Sequence, residues 1–256
     1  MIACQLQIFC LTLTLVLAAP AVSRGGENEV ASKIFPMGGE GMVTVQATTG
    51  TIRVGVWDRD EVRVETIKRT ENKELLDQLR VEIASGFNDL TVVTDIARGT
   101  GALGETLDVG TIDLGLTIPR RAQLELTATN ANVKIEGVRG DARVRTTTGA
   151  ISTLDLAGAV TIESTHGPIQ ASFGIVREDQ RINVTSEHGT IRLLLPQSVA
   201  AFLKARSARG SVKCELALTV DDGPDGGRQV DGALNTGGAH ITCETQNGGI
   251  LILKRL

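Results

Sequence analysis

One short phrase returns three times within residues 140–195, as Thr147-Thr148-Gly149-Ala150-Ile151, Thr165-His166-Gly167-Pro168-Ile169 and Glu187-His188-Gly189-Thr190-Ile191. It recurs outside that window as Thr48-Thr49-Gly50-Thr51-Ile52, Asn130-Ala131-Asn132-Val133, Ala208-Arg209-Gly210-Ser211-Val212 and Gln246-Asn247-Gly248-Gly249-Ile250. The glycines at 149, 167, 189 and 210 are 18, 22 and 21 residues apart, and the glycine at 248 follows after another 38. A regular period of this size predicts stacked structural repeats.

Each phrase reads as a tight turn followed by a strand, because apolar and polar residues alternate on both sides of it. We therefore predict a corner in every repeat, formed at Gly50, Gly149, Gly167, Gly189, Gly210 and Gly248. We expect these structural corner glycines to adopt backbone conformations that are costly for residues with a β-carbon.

The composition predicts a thin, regular core. Aromatic residues make up 2% of the 256-residue chain, with no Tyr and one Trp, whereas hydrophobic residues make up 41%. A core built from Val, Ile, Leu and Ala suits the narrow interior of a solenoid. The predicted fold is an all-β, single-domain β-solenoid, a parallel β-helix-like stack of short strands. Leu75, Leu76 and Leu79 follow Asn72 at helical spacing and predict one short helix near the N-terminal part.

The N-terminal residues predict export. Residues 1–23 carry no charged side chain, and Ile8 to Leu17 form an apolar run that is too short to span a membrane. We interpret residues 1–23 as a signal peptide, although a buried strand or an uncleaved anchor remains an alternative. A flexible N-terminus is then expected over residues 24–32, followed by the β-repeat domain over residues 33–256.

Two cysteines would remain after cleavage of the signal peptide, Cys214 and Cys243. Both share the parity of their strands' apolar residues, so both should point inward. They can form a disulfide in an oxidising compartment, or they can be two small buried hydrophobic residues. The sequence leaves these alternatives open.

Alignment of the repeats places seven residues at the position before the corner, namely Thr49, Asn130, Thr148, His166, His188, Arg209 and Asn247. His166 and His188 would then stack on neighbouring rungs, about 5 Å apart. Such a pair could share a metal ion or respond to pH, but no third ligand aligns with it. The alternative is a column of turn residues that bond the corner backbone, and we predict neither a metal nor a cofactor.

The order of these features resembles a known family. An export signal is followed by Gly50, Ile52, Val54, Trp57 and Asp58, then by a strand that ends at Ile118-Pro119, and then by coils such as Gly189-Thr190-Ile191-Arg192-Leu193-Leu194-Leu195-Pro196. This succession resembles the bacterial "putative adhesin" family of β-strand repeat proteins, a domain of unknown function. The resemblance implies an exported, β-helix-like protein of the cell envelope, and it brings no catalytic or ligand residues.

Several function classes are disfavoured by the composition. With 26 basic and 30 acidic residues and a net charge of −4, no basic stripe marks a nucleic-acid partner. Outward acids such as Glu163 and Glu187 exist, but the aromatic platforms of polysaccharide-active enzymes are missing.

We predict a non-enzymatic, adhesin-like interaction protein of the periplasm or cell surface, which binds an unknown envelope or extracellular protein or glycan through its polar wall. One alternative is a self-assembling envelope scaffold, a homo-oligomer joined through an uncapped C-terminal rung at residues 250–256. A polysaccharide-active enzyme is the third reading.

Overall fold

The computed structural model describes residues 27–71, 73–100, 106–223 and 226–255. The first half contains a 3₁₀ helix at Lys73–Gln78 and the strands β1 (Glu27–Pro36), β2 (Met42–Trp57), β3 (Glu61–Thr70), β4 (Leu79–Ser85), β5 (Asp89–Ile96), β6 (Arg98–Thr100), β7 (Thr106–Asp108), β8 (Thr111–Pro119) and β9 (Gln123–Glu136). The predicted short helix is therefore present as a 3₁₀ helix, and Asn72, its predicted N-cap, lies outside the described residues.

The second half consists of the strands β10 (Ala142–Thr148), β11 (Ile151–Leu154), β12 (Val160–His166), β13 (Ile169–Ser172), β14 (Arg181–His188), β15 (Ile191–Pro196), β16 (Ala201–Arg209), β17 (Val212–Cys214), β18 (Asp221–Asp222), β19 (Arg228–Leu234), β20 (Ala239–Asn247) and β21 (Ile250–Arg255). The predicted all-β, solenoid-like fold is confirmed.

Each regular coil is one strand, a glycine corner and a second strand. Strands before the corner stack in parallel as one wall, which we call wall 1, in the order β5, β2, β9, β10, β12, β14, β20 and β16. Strands after the corner stack as wall 2, in the order β8, β2, β9, β11, β13, β15, β21 and β17. The long strands β2 and β9 run through the corner and belong to both walls. The seven steps between the eight stacked strands of wall 1 make it about 34 Å long.

Alternation along each strand produces a single hydrophobic core between the walls. In β14, for example, Ile182 and Val184 are fully buried while their neighbours Arg181 and Asn183 are exposed. Equivalent residues on successive coils are stacked in register, so aliphatic side chains of similar size contact each other along the stack. This stacking explains how a chain so poor in aromatic residues builds a continuous core.

The coils do not stack in the order of the sequence. The final coil, β20 and β21, lies between the coil of β14 and β15 and the coil of β16 and β17. The prediction of an uncapped C-terminal rung at residues 250–256 is therefore wrong. Ile250, Leu251 and Ile252 pair with β15 on one side and with β17 on the other, and Leu256 lies outside the described residues.

Antiparallel strands cover both ends of the stack. At the first end β4 pairs with β5, and β3 pairs with β8 and then with β1. At the second end β19 pairs with β16, and the short β18 pairs with β19. These reversals cover the parallel strands β5, β8 and β16, whereas the three-residue β17 remains the end strand of wall 2.

The first strand begins earlier than the sequence predicted. Residues 27–32, expected to belong to a flexible N-terminus, form the first part of β1, which pairs with β3 along its whole length. Their sequence alternates weakly, so the pattern did not reveal a strand. The predicted signal peptide and residues 24–26 lie outside the described residues.

Candidate binding groove beside the corner

The corner is where the coils approach each other most closely. A β-carbon added to Gly167 would lie 2.1 Å from the carbonyl oxygen of Gly149, and one added to Gly248 would lie 2.0 Å from that of Gly189. The same holds, at 2.1 Å from a backbone oxygen of the adjacent strand, for the predicted corner glycines Gly50, Gly149, Gly189 and Gly210. No side chain fits in this column, because the backbone of the adjacent strand already occupies the space.

Backbone strain explains the glycine at fewer of the corners than predicted. Gly50, Gly149 and Gly167 have φ angles of 126°, 121° and 144°, whereas Gly189, Gly210 and Gly248 do not show positive φ. Close approach of backbone is thus the property that the six corners share, and conformational freedom matters at half of them.

A buried column of hydroxyl groups supports the corner from inside. It lies three residues before five of the six corner glycines, all except Gly50, and consists of Thr146, Ser164, Ser186, Thr245 and Ser207. Ser207 Oγ donates to the carbonyl of Gly248 at 2.7 Å, and Thr245 Oγ1 donates to that of Gly189 at 3.3 Å. Sequence reasoning missed this column, although a Ser or Thr at the third position before the glycine was visible in five of the repeats.

The column before the corner forms as predicted, and its residues are exposed or half-buried except for Thr49, which is buried. Thr49, Asn130, Thr148, His166, His188, Asn247 and Arg209 occupy equivalent positions on successive coils, in that spatial order. The rings of His166 and His188 stack with centroids 4.8 Å apart and planes 7° from parallel. Nδ2 of Asn247 lies 3.3 Å from Nε2 of His188.

Nothing in this column assembles a metal site. Within the described part of the chain, no group of three or more His, Cys, Asp or Glu side chains is placed to hold a metal ion. The stacked pair is better explained as part of a polar column, because His188 already has Asn247 as a neighbour.

A groove runs along the outer face of wall 1, next to the corner. Three shallow depressions of about 670, 540 and 280 Å³ follow one another along it. The first two share Thr127 as a lining residue, and the second and third share Thr185 and Glu187. They therefore form a continuous surface, which we call the corner groove.

Two columns of side chains line the corner groove. The column nearer the corner is Thr48, Thr129, Thr147, Thr165, Glu187, Gln246 and Ala208. The second column is Gln46, Thr127, Arg145, Glu163, Thr185, Glu244 and Arg206. The groove therefore combines consecutive threonine hydroxyls with amides and charges of both signs.

Two opposite charges in the corner groove form an ion pair. Arg145 donates to Glu163 through Nε at 2.8 Å and through Nη2 at 3.4 Å. This contact raises the pKa of Arg145, because Glu163 stabilises the charged guanidinium. Both carboxylate oxygens of Glu163 are engaged by this one guanidinium.

The two cysteines are separate. Cys214 is a half-buried free thiol beside Ile252, and Cys243 is a buried free thiol between Val184 and Ala205. The disulfide alternative is thus not formed, and the alternative of two small core residues describes Cys243. Burial raises the pKa of Cys243 to about 12.

Comparison with known proteins assigns most of the chain to one family. The model of the family Toastrack DUF4097 matches residues 37–253. No curated protein gives a significant match. Within the described ranges, no helix has the length and apolar character needed to cross a membrane.

One solved structure shares the fold at low sequence identity, and a second superposes less well. A "putative cell adhesion protein" from Clostridium sporogenes superposes with a TM-score of 0.50 at 12% identity, covering 90% of this chain and 100% of that one. A "putative adhesin" from Bacteroides fragilis has a TM-score of 0.41 at 9% identity, covering 88% of this chain and 97% of that one. At these identities the first similarity shows the fold alone.

Proposed function

We propose that this chain, which belongs to the Toastrack DUF4097 family, is an exported and non-enzymatic interaction protein of the cell envelope that binds an extended polar ligand in the corner groove. The observation that carries the proposal is the continuity of the groove. It crosses the coils from β5 to β16, whereas an enzyme concentrates its chemistry in one enclosed pocket.

The threonine column supports binding by many weak contacts. Thr129, Thr147 and Thr165 lie on consecutive coils, about 4.8 Å apart, and each hydroxyl can both donate and accept a hydrogen bond. One such bond contributes about 1 kcal/mol, so affinity depends on how many coils the ligand crosses. A ligand of this kind has to be long and to carry polar groups along its length.

A glycan chain fits these demands better than a peptide. Extended peptides bind sheets mainly by adding a strand to a free edge. The strands that form the middle of the groove, such as β10 and β12, are already paired on both sides, so only side chains are available there. Hydroxyl, amide and charged side chains are suited to the hydroxyls of an envelope polysaccharide.

Binding should depend on Thr165 and not on the opposite wall. We would measure the retention of the purified chain on peptidoglycan and on a panel of purified envelope polysaccharides. Thr165→Arg places a bulky cation in the groove and should weaken binding at least tenfold. Gln170→Arg adds the same side chain to the same coil, on the outer face of wall 2, and should leave binding unchanged.

The outcomes separate the parts of the proposal. Equal binding by Thr165→Arg and the unsubstituted chain would remove the groove as the site. If the chain were retained on isolated envelope proteins and on no polysaccharide, the groove could still be the binding site, but the proposal of a glycan ligand would be contradicted. Failure to bind either fraction would contradict the interaction role.

Export rests on the apolar run within residues 1–23 and has its own test. Leu13→Arg together with Leu15→Arg interrupts the run and should retain the full chain in the cytoplasmic fraction. Gln5→Arg lies before the run and should still allow export. Export of the double variant at the normal level would contradict the role of these residues as a signal.

A further inference from the structure

One long strand edge is open at the first end of wall 2. The ten residues of β1, Glu27–Pro36, all pair with β3, and no strand in the described ranges pairs with the other edge of β1. Such an edge exposes unpaired backbone donors and acceptors and can accept another strand.

The other terminal strands of the stack are less suited to accept an added strand. At the second end β18 has two residues and β17 has three. At the first end of wall 1, β4 carries the exposed charges Arg80 and Glu82. The charged residues Glu29 and Lys33 of β1 lie on the face opposite to Val30 and Ile34, whereas those of β4 lie on its outer face. Because short edges and charged outer faces resist strand addition, the ten-residue β1 is the favoured place for it.

The outer face of β1 carries two exposed apolar side chains. Val30 is 71% exposed and Ile34 is 51% exposed, and both share that face with Ser32. Val30 is paired with the half-buried Ile67 of β3. Exposure of these apolar side chains to water is unfavourable, and covering them stabilises the protein.

We propose that β1 pairs antiparallel with β1 of a second copy of this chain, about a two-fold axis at Ser32. An axis perpendicular to the sheet keeps outer side chains on the outer face, so it brings together residues of the same parity. With the axis at Ser32, Val30 of each copy lies opposite Ile34 of the other. Both exposed apolar residues of each copy are then covered, in two cross-strand aliphatic pairs.

The neighbouring register explains less. With the axis at Ala31, Val30 would lie opposite Ser32, and Ile34 would lie opposite Asn28. That register would place Glu29 opposite Lys33, but Glu29 already has Lys68 of its own copy at 3.0 Å. The Ser32 register covers the apolar residues and leaves this ion pair in place.

The dimer would leave the corner groove open. The edge belongs to wall 2, whereas the groove lies on the outer face of wall 1, so two copies would present two grooves. Two linked sites on one extended ligand bind more tightly than either alone. The pairing itself does not depend on the proposed ligand, and it can be tested without one.

Cross-linking tests the register. In the full chain with Cys4, Cys10 and Cys214 changed to Ser, Ser32→Cys places two thiols opposite each other across the axis. Mild oxidation should convert most of this variant to a covalent dimer, whereas Ala31→Cys, with Lys33 opposite, should stay largely uncross-linked. A covalent dimer from Ala31→Cys and none from Ser32→Cys would overturn the proposed register.

Light scattering over a hundredfold concentration range tests the dimer itself. The full chain should be dimeric, and Val30→Lys with Ile34→Lys should weaken the dimer at least tenfold, with an unchanged circular dichroism spectrum. Phe87→Lys removes a fully exposed apolar residue away from this edge and should leave the dimer intact. A monomer at all concentrations, or a dimer that the double variant does not weaken, would overturn the proposal.

Discussion

Residues 123–196 and residues 201–255 use the same coil but assemble it differently. From β9 to β15, each coil pairs with the coil before it in the sequence. In the second region, the coil of β16 and β17 is separated from β14 and β15 by the final coil. The coil at the end of the stack therefore comes earlier in the sequence than the coil that lies between it and β14 and β15.

The difference teaches that a repeat pattern defines the unit but not the order of the units. Register is equally good across both regions, since the hydroxyl and aliphatic columns continue through the final coil. The reversal in β19 allows the exception, because it turns the chain back across β16 before β20 begins. Among the described strands, β16 and β17 join the regular coils only through β20 and β21.

The largest effect is expected from Ile241→Asp, in the middle of the final coil. Ile241 is 1% exposed between Ile182 and Leu203, so an unpaired carboxylate there should cost about 4 kcal/mol. Hydrogen exchange should show lost protection over residues 201–255 and retained protection over residues 123–172. Thr242→Asp, on the outer face, should preserve both regions. Equal loss in both regions would contradict their separate assembly.

The corner glycines test whether the two regions share one corner. Gly167→Ala and Gly248→Ala each direct a β-carbon onto the backbone of the adjacent coil, and both should cost about 3 kcal/mol. Gly55 has no atom within 4 Å of an added β-carbon, so Gly55→Ala should change stability by less than about 1 kcal/mol. Urea unfolding measures all three. A mild effect at Gly248 alone would show that the final coil has a looser corner.

The hydroxyl column predicts a smaller difference between the regions. Ser207→Ala removes the bond to the Gly248 carbonyl and should cost about 1 kcal/mol. Ser186 is equally buried, but its hydroxyl finds no partner among the described residues, so Ser186→Ala should be neutral or slightly stabilising. Thermal unfolding of the two variants compares these effects, and equal losses would contradict the assigned bonds.

The smallest effect concerns the ion pair that joins the two regions. Arg255 at the end of β21 donates to Asp155 after β11, with Nη2 at 3.3 Å from Oδ2, and this hydrogen bond lowers the pKa of Asp155. Because the pKa of Asp155 is lower in the folded state, the ion pair stabilises the fold at pH values above the unfolded-state pKa of about 3.9. This stabilisation is lost as the pH falls through the folded-state pKa. Because the pair is largely exposed, Arg255→Gln should cost less than about 1 kcal/mol at pH 7.

Thermal unfolding from pH 7 to pH 2 checks this ion pair. The stability of Arg255→Gln should approach that of the unsubstituted chain below about pH 4, because the carboxylate is then being protonated. Arg177→Gln removes a pair with Asp179 inside a single loop and serves as the control. A difference that stays constant at every pH would contradict the contribution of Asp155.

The repeated phrase was sufficient to predict the coil, its corner and the column of residues before the corner. These features depend on local spacing, which a single sequence displays. The order of the coils was not predictable, because the phrases at Gly189, Gly210 and Gly248 are alike and nothing in them distinguishes a neighbour from a second neighbour. The loop between Cys214 and Ala239 contained the only hint, since it makes the step to the last glycine twice as long.

The candidate site was predicted only as a polar wall. The threonines at 129, 147 and 165 were visible, but their place beside a groove depends on the small buried residues beneath them, such as Ala128 and Ser164. Strand β1 was missed for a related reason. Its pairing with β3 provides the order that its own weak alternation does not indicate.

The order of the coils can be measured most directly with two pairs of cysteines in the column before the corner. His188→Cys with Asn247→Cys joins positions that are adjacent in the structure, whereas His188→Cys with Arg209→Cys joins positions that would be adjacent if the coils followed the sequence. Neighbouring strands are about 4.8 Å apart, within reach of a disulfide, and second neighbours are not. We predict rapid disulfide formation in the first variant and none in the second. A disulfide between positions 188 and 209 would contradict the intercalated coil and the corner groove that crosses it.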